Sequence, residues 1–308
     1  MENMKAVRIH QYGGPEELRL EDVPRPQPNA GEVLIRVIAA GVNPIDWQIR
    51  SGHMKEVMPV TMPFIPGTDV SGVVETVGPG VTGFKKGNEV FGVGNFGYAE
   101  FVIAKESELA LKPSSIDHAH AAAIPVAAST AWQALFKGAG LTSGQKVLVH
   151  GGAGGVGGFA VQFAKAKGAH VIATASGRNQ SLLRELGVDE AIDYEKNKFE
   201  DLVRDVDVVL DTQGGDTQRR SWKVLKKGGI LVSIVQPPSA EEAAKYGVRS
   251  TMFVRQPNAG ELSEIAKLID SGKVKVVVET VLPLSQARRA QELSQAGHAK
   301  GKTVLKVA

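Results

Sequence analysis

The 308 residues contain no cysteine at all. That absence removes disulfides, thiolate nucleophiles and any zinc site built on sulfur, and it agrees with a reducing compartment. Aromatic residues are scarce at 6%. No apolar run approaches the roughly 20 residues that a membrane helix needs. The net charge is only +3, with acids and bases interspersed, so no surface of one sign points to a nucleic acid or an anionic membrane. The N-terminal MENMKAVRIH reads as a strand rather than a signal peptide. No G-x-S-x-G is present to display a hydrolase serine. GHAKGKT at 297–303 imitates a phosphate loop, but three residues instead of four separate its glycines and a polar helical segment precedes it. A water-soluble, cytoplasmic protein without nucleic-acid or membrane partners is expected.

What the chain has in quantity is glycine, and one cluster organises the rest. Lys146 to Lys165 reads KVLVHGGAGGVGGFAVQFAK. Val147, Leu148 and Val149 form a β-branched, buried-strand run. Val156, Ala160, Phe163 and Ala164 recur at helical spacing beyond it. Between them Gly152, Gly154 and Gly157 fit G-x-G-x-x-G in the required place, between strand and helix. One glycine permits a tight turn, one a close approach of backbone to a pyrophosphate, and one close packing of helix on strand. The exposed N–H groups and positive end of the helix then favour phosphates. The cofactor contacts expected here are Gly152, Gly154, Gly155, Val156 and Gly157.

The length allows two domains with separate cores. Residues up to about 112 are β-rich, with strands predicted at Lys5–Ile9, Leu18–Val23, Glu32–Ala40, Val70–Val77, Glu89–Val93, Tyr98–Ala104 and Leu109–Leu111. Past Pro113, Ile116–Ala123 and Val126–Lys137 are Ala-rich and helical in pattern. From Lys146 strands alternate with helices: strands near 146–150, 170–175, 190–193, 206–211, 228–235 and 247–254, with helices including 179–186 and 216–225. That alternation predicts a doubly wound parallel sheet with ligand at the carboxyl ends of its strands. Helices at 259–272 and 285–297, then strands at Val277–Leu282 and Thr303–Val307, complete the expectation.

The phrases AAGVNPIDWQIRSG (39–52), PFIPGTDVSGVV (63–74), GNEVFGV (87–93), GYAEFVI (97–103), IPVAASTAWQAL (124–135), DTQGGDT (211–217), GGILVSI (228–234) and GKTVLKV (301–307) follow one another in a familiar order. The chain resembles, end to end, a zinc-free medium-chain dehydrogenase/reductase of the NADPH:quinone oxidoreductase, zeta-crystallin-like family. The resemblance implies an α/β protein: a β-rich GroES-like catalytic domain from 1–122 and 258–308, and a Rossmann NADP(H)-binding domain at 123–257. It also implies a homodimer.

At the end of the second Rossmann strand a carboxylate normally holds the ribose 2′-OH of NAD. The chain reads HVIATASGRNQ there, with Ser176 and Arg178 in place of an acid. A guanidinium beside a hydroxyl suits a 2′-phosphate, so NADP(H) is the expected cofactor. By resemblance Tyr194 lines the same end, Thr130 sits near the nicotinamide, and Ile234, Val235, Phe253 and Val254 flank it. Thr130 could equally cap a helix start, and the others could simply pack the core.

Zinc-dependent relatives hold metal at positions that match Asn43, Thr68 and Val126. Neutral amide and hydroxyl groups are poor zinc ligands and valine is none. His118 and His120, two apart on a predicted helix, point to different faces and are expected to be exposed. No metal is expected. The demanding chemistry then belongs to the cofactor, and the protein supplies a dry slot and hydrogen-bond donors. No acid–base residue stands out. Asn43 and Thr130 are the candidates for positioning substrate; Asn43 could donate to an acceptor oxygen or merely hold its own turn. Asp46 and Arg50 are expected to make internal ion pairs or hydrogen bonds. Where bacterial quinone reductases carry tyrosines this chain has Gln48 and Met54, and the Met-rich GHMKEVMPVTMPF offers an adaptable apolar wall. Three functions follow: a quinone reductase, an alkenal or enone double-bond reductase, or an NADP(H)-binding redox sensor with little turnover.

Overall fold

A computed structural model of the chain describes residues 2–297 and 299–308; Met1, in the N-terminal phrase, and His298, in GHAKGKT, lie outside the described residues. The chain divides into two compact units. One comprises Met1–Val126, Pro257–Gly272 and Val276–Ala308, the other Ala127–Gln256 with Lys273–Lys275.

In chain order, the first unit begins with β1 (Asn3–Arg8), β2 (Arg19–Pro24), β3 (Glu32–Val42), α1 (Pro44–Arg50), β4 (Asp69–Val77), β5 (Glu89–Val93), β6 (Phe101–Lys105), β7 (Leu109–Leu111) and α2 (His118–Ala122). Next come α3 (Pro125–Gln133), β8 (Lys146–Val149), α4 (Gly155–Ala166), β9 (His170–Ala175), α5 (Gln180–Glu185), β10 (Glu190–Asp193), α6 (Phe199–Leu202) and β11 (Val206–Asp211). α7 (Gly215–Ser221), β12 (Leu225–Ser233), α8 (Ala240–Tyr246) and β13 (Arg249–Met252) finish the second unit. α9 (Ala259–Asp270), β14 (Val278–Pro283), α10 (Ala287–Ala296) and β15 (Lys302–Lys306) return to the first.

The first unit is built around β3, whose long β-branched and aliphatic sequence is buried on eight of its eleven residues. Its seven-stranded sheet runs β14-β15-β3-β4-β5-β7, with β6 also pairing to β3. Val33, Ile35 and Val37 pack with Val70, Val74, Val90 and Tyr98 in one apolar cluster. Two registers bring polar residues together. β15 lies antiparallel to β3 with Thr303 opposite Val42, which brings Lys302 beside Asn43. β4 pairs with β3 so that Asp69 is opposite Gly41. A Cβ on Gly41 would stand 2.9 Å from that of Asp69 and 2.3 Å from the Ala122 carbonyl oxygen, so only glycine permits this approach.

The second unit is the doubly wound sheet expected from the alternation, six parallel strands in the order β10-β9-β8-β11-β12-β13. Val147, Leu148 and Val149 are fully buried, as a strand covered on both faces requires. The order reverses between β8 and β11, which marks the place where such sheets bind ligands.

The structure departs from the sequence expectations locally. α1 was not anticipated: its seven residues are too few to show a helical period, and Pro44 at its start reads as a turn. α6 and α8 are likewise short. The helix predicted at 216–225 ends at Ser221 and gives way to a 3-10 turn before β12 begins at Leu225, three residues earlier than expected. β13 stops at Met252 and β12 at Ser233, so Ile234, Val235, Phe253 and Val254 follow their strands instead of closing them. His118 is not exposed: its ring bonds the Ser71 hydroxyl at 2.8 Å and faces Glu89 at 3.2 Å. Among the described residues no helix is long and apolar enough to cross a membrane.

Candidate functional site

Two groups of residues stand out, one in each unit. In the second unit β8 delivers the chain through His150 into the glycine turn and then into α4. The left-handed residue of this turn is Gly151, at φ +65°, one place before the fingerprint. Gly152 packs inward, where a Cβ would stand 2.7 Å from that of Ala173. Gly157 presses α4 onto the turn, where a Cβ would meet the Gly151 carbonyl oxygen at 2.1 Å. Gly154 is different, because a Cβ there would find only that oxygen, at 3.3 Å. It is the N-cap of α4 and no side chain caps the helix. Gly154, Gly155 and Val156 are partly exposed. Bare N–H groups at the positive end of a twelve-residue helix form a cradle fit for an anion such as a pyrophosphate.

A buried polar platform holds this turn. His150 is wedged between the Thr174 hydroxyl (3.2 Å) and the Ser221 hydroxyl (2.9 Å), and its carbonyl accepts from the Thr212 hydroxyl. Burial pulls the imidazole pKa down to about 4, against the opposing charge of Asp211. His150 is therefore neutral in the folded protein and positions the turn.

β9 ends at Ala175 and turns through Ser176, Gly177, Arg178 and Asn179. The Ser176 hydroxyl accepts from the Asn179 amide at 3.2 Å, and Arg178 is exposed. Sequence reasoning missed one neighbour. Although no acid follows β9 directly, Glu195 from beyond β10 accepts the Gly177 N–H at 2.9 Å. Asp193 lies so close that a Cβ on Gly177 would meet its carboxylate at 2.9 Å. Tyr194, between them, is half exposed.

Thr130 lies within α3, not at its start, and is buried, so the capping alternative does not hold. α3 continues as a π-helical turn over Ala134–Gly138. A Cβ on Gly138 would touch the Phe253 ring at 2.9 Å. Ile234 donates its N–H to the Asp211 carbonyl and Phe253 donates its own to that of Ser233, at 3.1 and 2.8 Å. Val235 and Val254 are exposed.

In the first unit, α1 starts where β3 ends. The Asn43 N–H donates to the Asp46 carboxylate at 2.9 Å, and the Tyr98 hydroxyl donates to the same carboxylate at 2.9 Å. The Asn43 side-chain amide donates to Asp69 at 2.9 Å and its oxygen accepts from the ammonium of Lys302. That ammonium also donates to the Val42 carbonyl at 2.8 Å and stands 3.8 Å from the Asp69 carboxylate. The other Asp69 oxygen accepts the Val126 N–H at 2.9 Å. Asn43, Thr68 and Val126 are thus drawn together by Asp69, two through hydrogen bonds and one as its chain neighbour. All five charged or amphoteric members of the cluster are buried. Burial raises the Asp46 carboxyl to about 7 and pushes the Tyr98 phenol up. It also lowers the Lys302 ammonium against the pull of Asp69 and Asp46. The Thr68 hydroxyl is buried with no partner among the described residues. Arg50 makes the internal hydrogen bonds expected of it, to Gln291, Gln295 and the Gly13 carbonyl. Lys302 was missed because its partners lie more than 230 residues earlier in the chain.

Comparison with known proteins agrees with this anatomy. Residues 29–114 match the alcohol dehydrogenase GroES-like domain, and residues 186–305 match a family described as zinc-binding dehydrogenase. A chloroplast envelope quinone oxidoreductase homolog of Arabidopsis thaliana is 37% identical over 98% of each chain. An NADPH-dependent alkenal/one oxidoreductase of the same plant is 40% identical over 98% of this chain and 79% of its own. The quinone oxidoreductase of Coxiella burnetii superimposes with a TM-score of 0.91 at 36% identity over the whole of both chains. With its nucleotide-binding sheet, its GroES-like sheet and these relatives, the chain belongs to the quinone oxidoreductase family of medium-chain dehydrogenases/reductases.

Proposed function

We propose that this oxidoreductase passes a hydride from NADPH to a quinone or a related electron-poor carbonyl compound, without zinc. The observation that carries the cofactor half is the bare N-terminus of α4 behind Gly154, followed by a turn that offers Ser176 and Arg178. Gly152, Gly154, Gly155, Val156 and Gly157 would hold the pyrophosphate. Ser176, Arg178 and Tyr194 would hold the adenosine phosphate. Thr130, Ile234, Val235, Phe253 and Val254 would line the nicotinamide. The domain division 1–122 with 258–308, and 123–257 between, is part of the same proposal, as are the cytoplasmic location and a homodimer through the edge strand β13, beside which Met252 and Val254 are exposed.

Bound NADPH supplies the hydride, and the reaction balances as acceptor, NADPH and one proton giving reduced acceptor and NADP⁺, with the proton drawn from solvent. The chain's own task is to orient the acceptor, exclude water and meet the charge that the acceptor oxygen gains. Zinc does not fit the residues present. The Asn43 oxygen already accepts from Lys302, Val126 offers only an N–H to Asp69, and an ammonium occupies the neighbourhood. A second cation there would be repelled at short range.

An enone or alkenal reductase is the second reading, favoured by the identity with the alkenal/one oxidoreductase. Purified protein with NADPH or NADH and a panel of quinones, 2-alkenals and saturated aldehydes, followed by cofactor absorbance, separates the readings. Quinone turnover is expected. Turnover of alkenals alone would favour the second reading, and tight NADPH binding without turnover of anything would leave a redox sensor.

A further inference from the structure

Lys302 takes no part in the function so far described, yet its placement is costly. A lysine ammonium buried from water carries a penalty of several kcal/mol unless partners compensate it. Here the compensation is complete and specific: the Val42 carbonyl, the Asn43 side-chain oxygen and the Asp69 carboxylate. Asp46 adds a more distant attraction, and its carboxylate accepts from the Tyr98 hydroxyl and the Asn43 N–H. The cluster forms where Asn43, Thr68 and Val126 come together around Asp69.

We propose that the Lys302 ammonium is a tethered replacement for a metal cation, and that it works by positioning and polarising Asn43. The inference rests on the reading of the protein as a hydride-transferring reductase. An amide nitrogen carries two hydrogens. One is committed to Asp69, which fixes the plane of the side chain. The ammonium on the amide oxygen withdraws charge through the conjugated O–C–N unit and strengthens the second N–H as a donor, since hydrogen bonds in a chain polarise one another. That N–H is the donor to the acceptor oxygen as hydride arrives at the acceptor. The Thr68 hydroxyl, next in sequence to the anchored Asp69 and buried without a partner among the described residues, would be a second donor to that oxygen. A buried hydroxyl left unpaired is costly, and a ligand oxygen would relieve that cost. Lys302 is thus a positioning residue. It touches Asn43 and Asp69, and it acts on the acceptor only through the amide.

The test is chemical rescue. Lys302→Ala is assayed with NADPH and 1,4-benzoquinone, with and without ethylammonium, beside fluorescence titration of NADPH. The expected result is a kcat lower by about tenfold, less than the roughly hundredfold or more that follows outright loss of a transition-state donor, because the Asn43 amide remains. NADPH affinity should stay within about twofold, and ethylammonium but not tetramethylammonium should recover kcat. A folded Lys302→Ala variant with unaltered kcat, or one rescued equally by both ions, overturns the proposal. If Lys302→Ala does not fold, the charge-balanced pair Lys302→Met with Asp69→Asn replaces it. A folded pair with full kcat overturns the proposal just as clearly. Failure of the unaltered protein to reduce any acceptor would instead overturn the reading of function and, with it, the catalytic role given to Asn43.

Discussion

At the end of β8 the chain strips side chains from a helix terminus and leaves backbone N–H groups uncovered. Where β3 meets β15, it buries two carboxylates, an ammonium, a phenol and an amide and lets them satisfy one another. The first region is an electropositive vacancy made by omission, and it costs little because solvent serves the exposed N–H groups. The second is an electrostatic device made by addition, with each charge dependent on the others. An anion cradle can therefore be made by small residues alone, whereas buried charges need fixed partners that replace the solvation they have given up.

The comparison breaks first at glycine. Gly157→Val should abolish measurable NADPH binding, at least a hundredfold loss, and lower the melting temperature, because its Cβ would overlap the Gly151 carbonyl oxygen. Gly154→Ala sharpens the point. Its Cβ would meet only the Gly151 carbonyl oxygen, at 3.3 Å, so the variant should fold with a much smaller drop in melting temperature than Gly157→Val and still lose affinity in a fluorescence titration.

Next in size is the charge cluster. Lys302→Met leaves Asp69 buried without its ammonium and should cost about 3–5 kcal/mol in urea unfolding. Adding Asp69→Asn should return most of that loss. Additive losses in the pair would show that the two charges do not depend on each other.

The two regions should also answer pH in opposite senses. The Asp46 carboxyl is held at about 7 in the folded protein against an ordinary 3.8. Its raised value means that stability is lost as pH rises from about 4 to 7. The His150 ring is held at about 4 against an ordinary 6.5. Its lowered value means that stability is lost as pH falls from about 6.5 to 4. Each slope approaches about 1.4 kcal/mol per pH unit inside its window. Asp46→Asn should flatten the first and His150→Gln the second in melting curves recorded across pH; unchanged slopes would refute the assignments.

The smallest effect concerns the adenosine end. Arg178→Ala should weaken NADPH about tenfold with NADH untouched, and Glu195→Gln should strengthen NADPH a fewfold by removing a negative charge from the Gly177 turn. Equal shifts for both cofactors would deny Arg178 its phosphate role.

The platform of Thr174, Thr212 and Ser221 that holds the glycine turn was not legible in the sequence, whereas the turn itself was, because its strand, its glycines and its helix lie within twenty residues. The parallel sheet followed from alternation for the same reason. The acidic neighbour of Gly177 escaped notice because it arrives from the next strand, and α1 because one turn of amphipathic spacing cannot be told from a loop. Asn43 could be picked out, but not that its side-chain oxygen and one of its amide hydrogens were already taken. That fact depends on Lys302, and a lysine near the end of a β-rich stretch gives no sign that it will be buried. The alternative role of Thr130 as a helix-start cap falls away because Pro125 rather than a polar residue opens α3 and Thr130 lies inside it.

The register that sets Lys302 beside Asn43 also has a consequence for biosynthesis. Asp69 and Asn43 leave the ribosome well before Lys302, with the entire 127–256 stretch between them. At ~5–20 residues per second the delay is roughly 10 to 50 seconds. For that interval the first unit has its carboxylates but not its ammonium, while the second unit, continuous in sequence apart from three residues, can already close. Until β15 is made, Asp69 has its hydrogen bonds from Asn43 and Val126 but no cation to balance it, so the burial of this cluster belongs to the last step of folding.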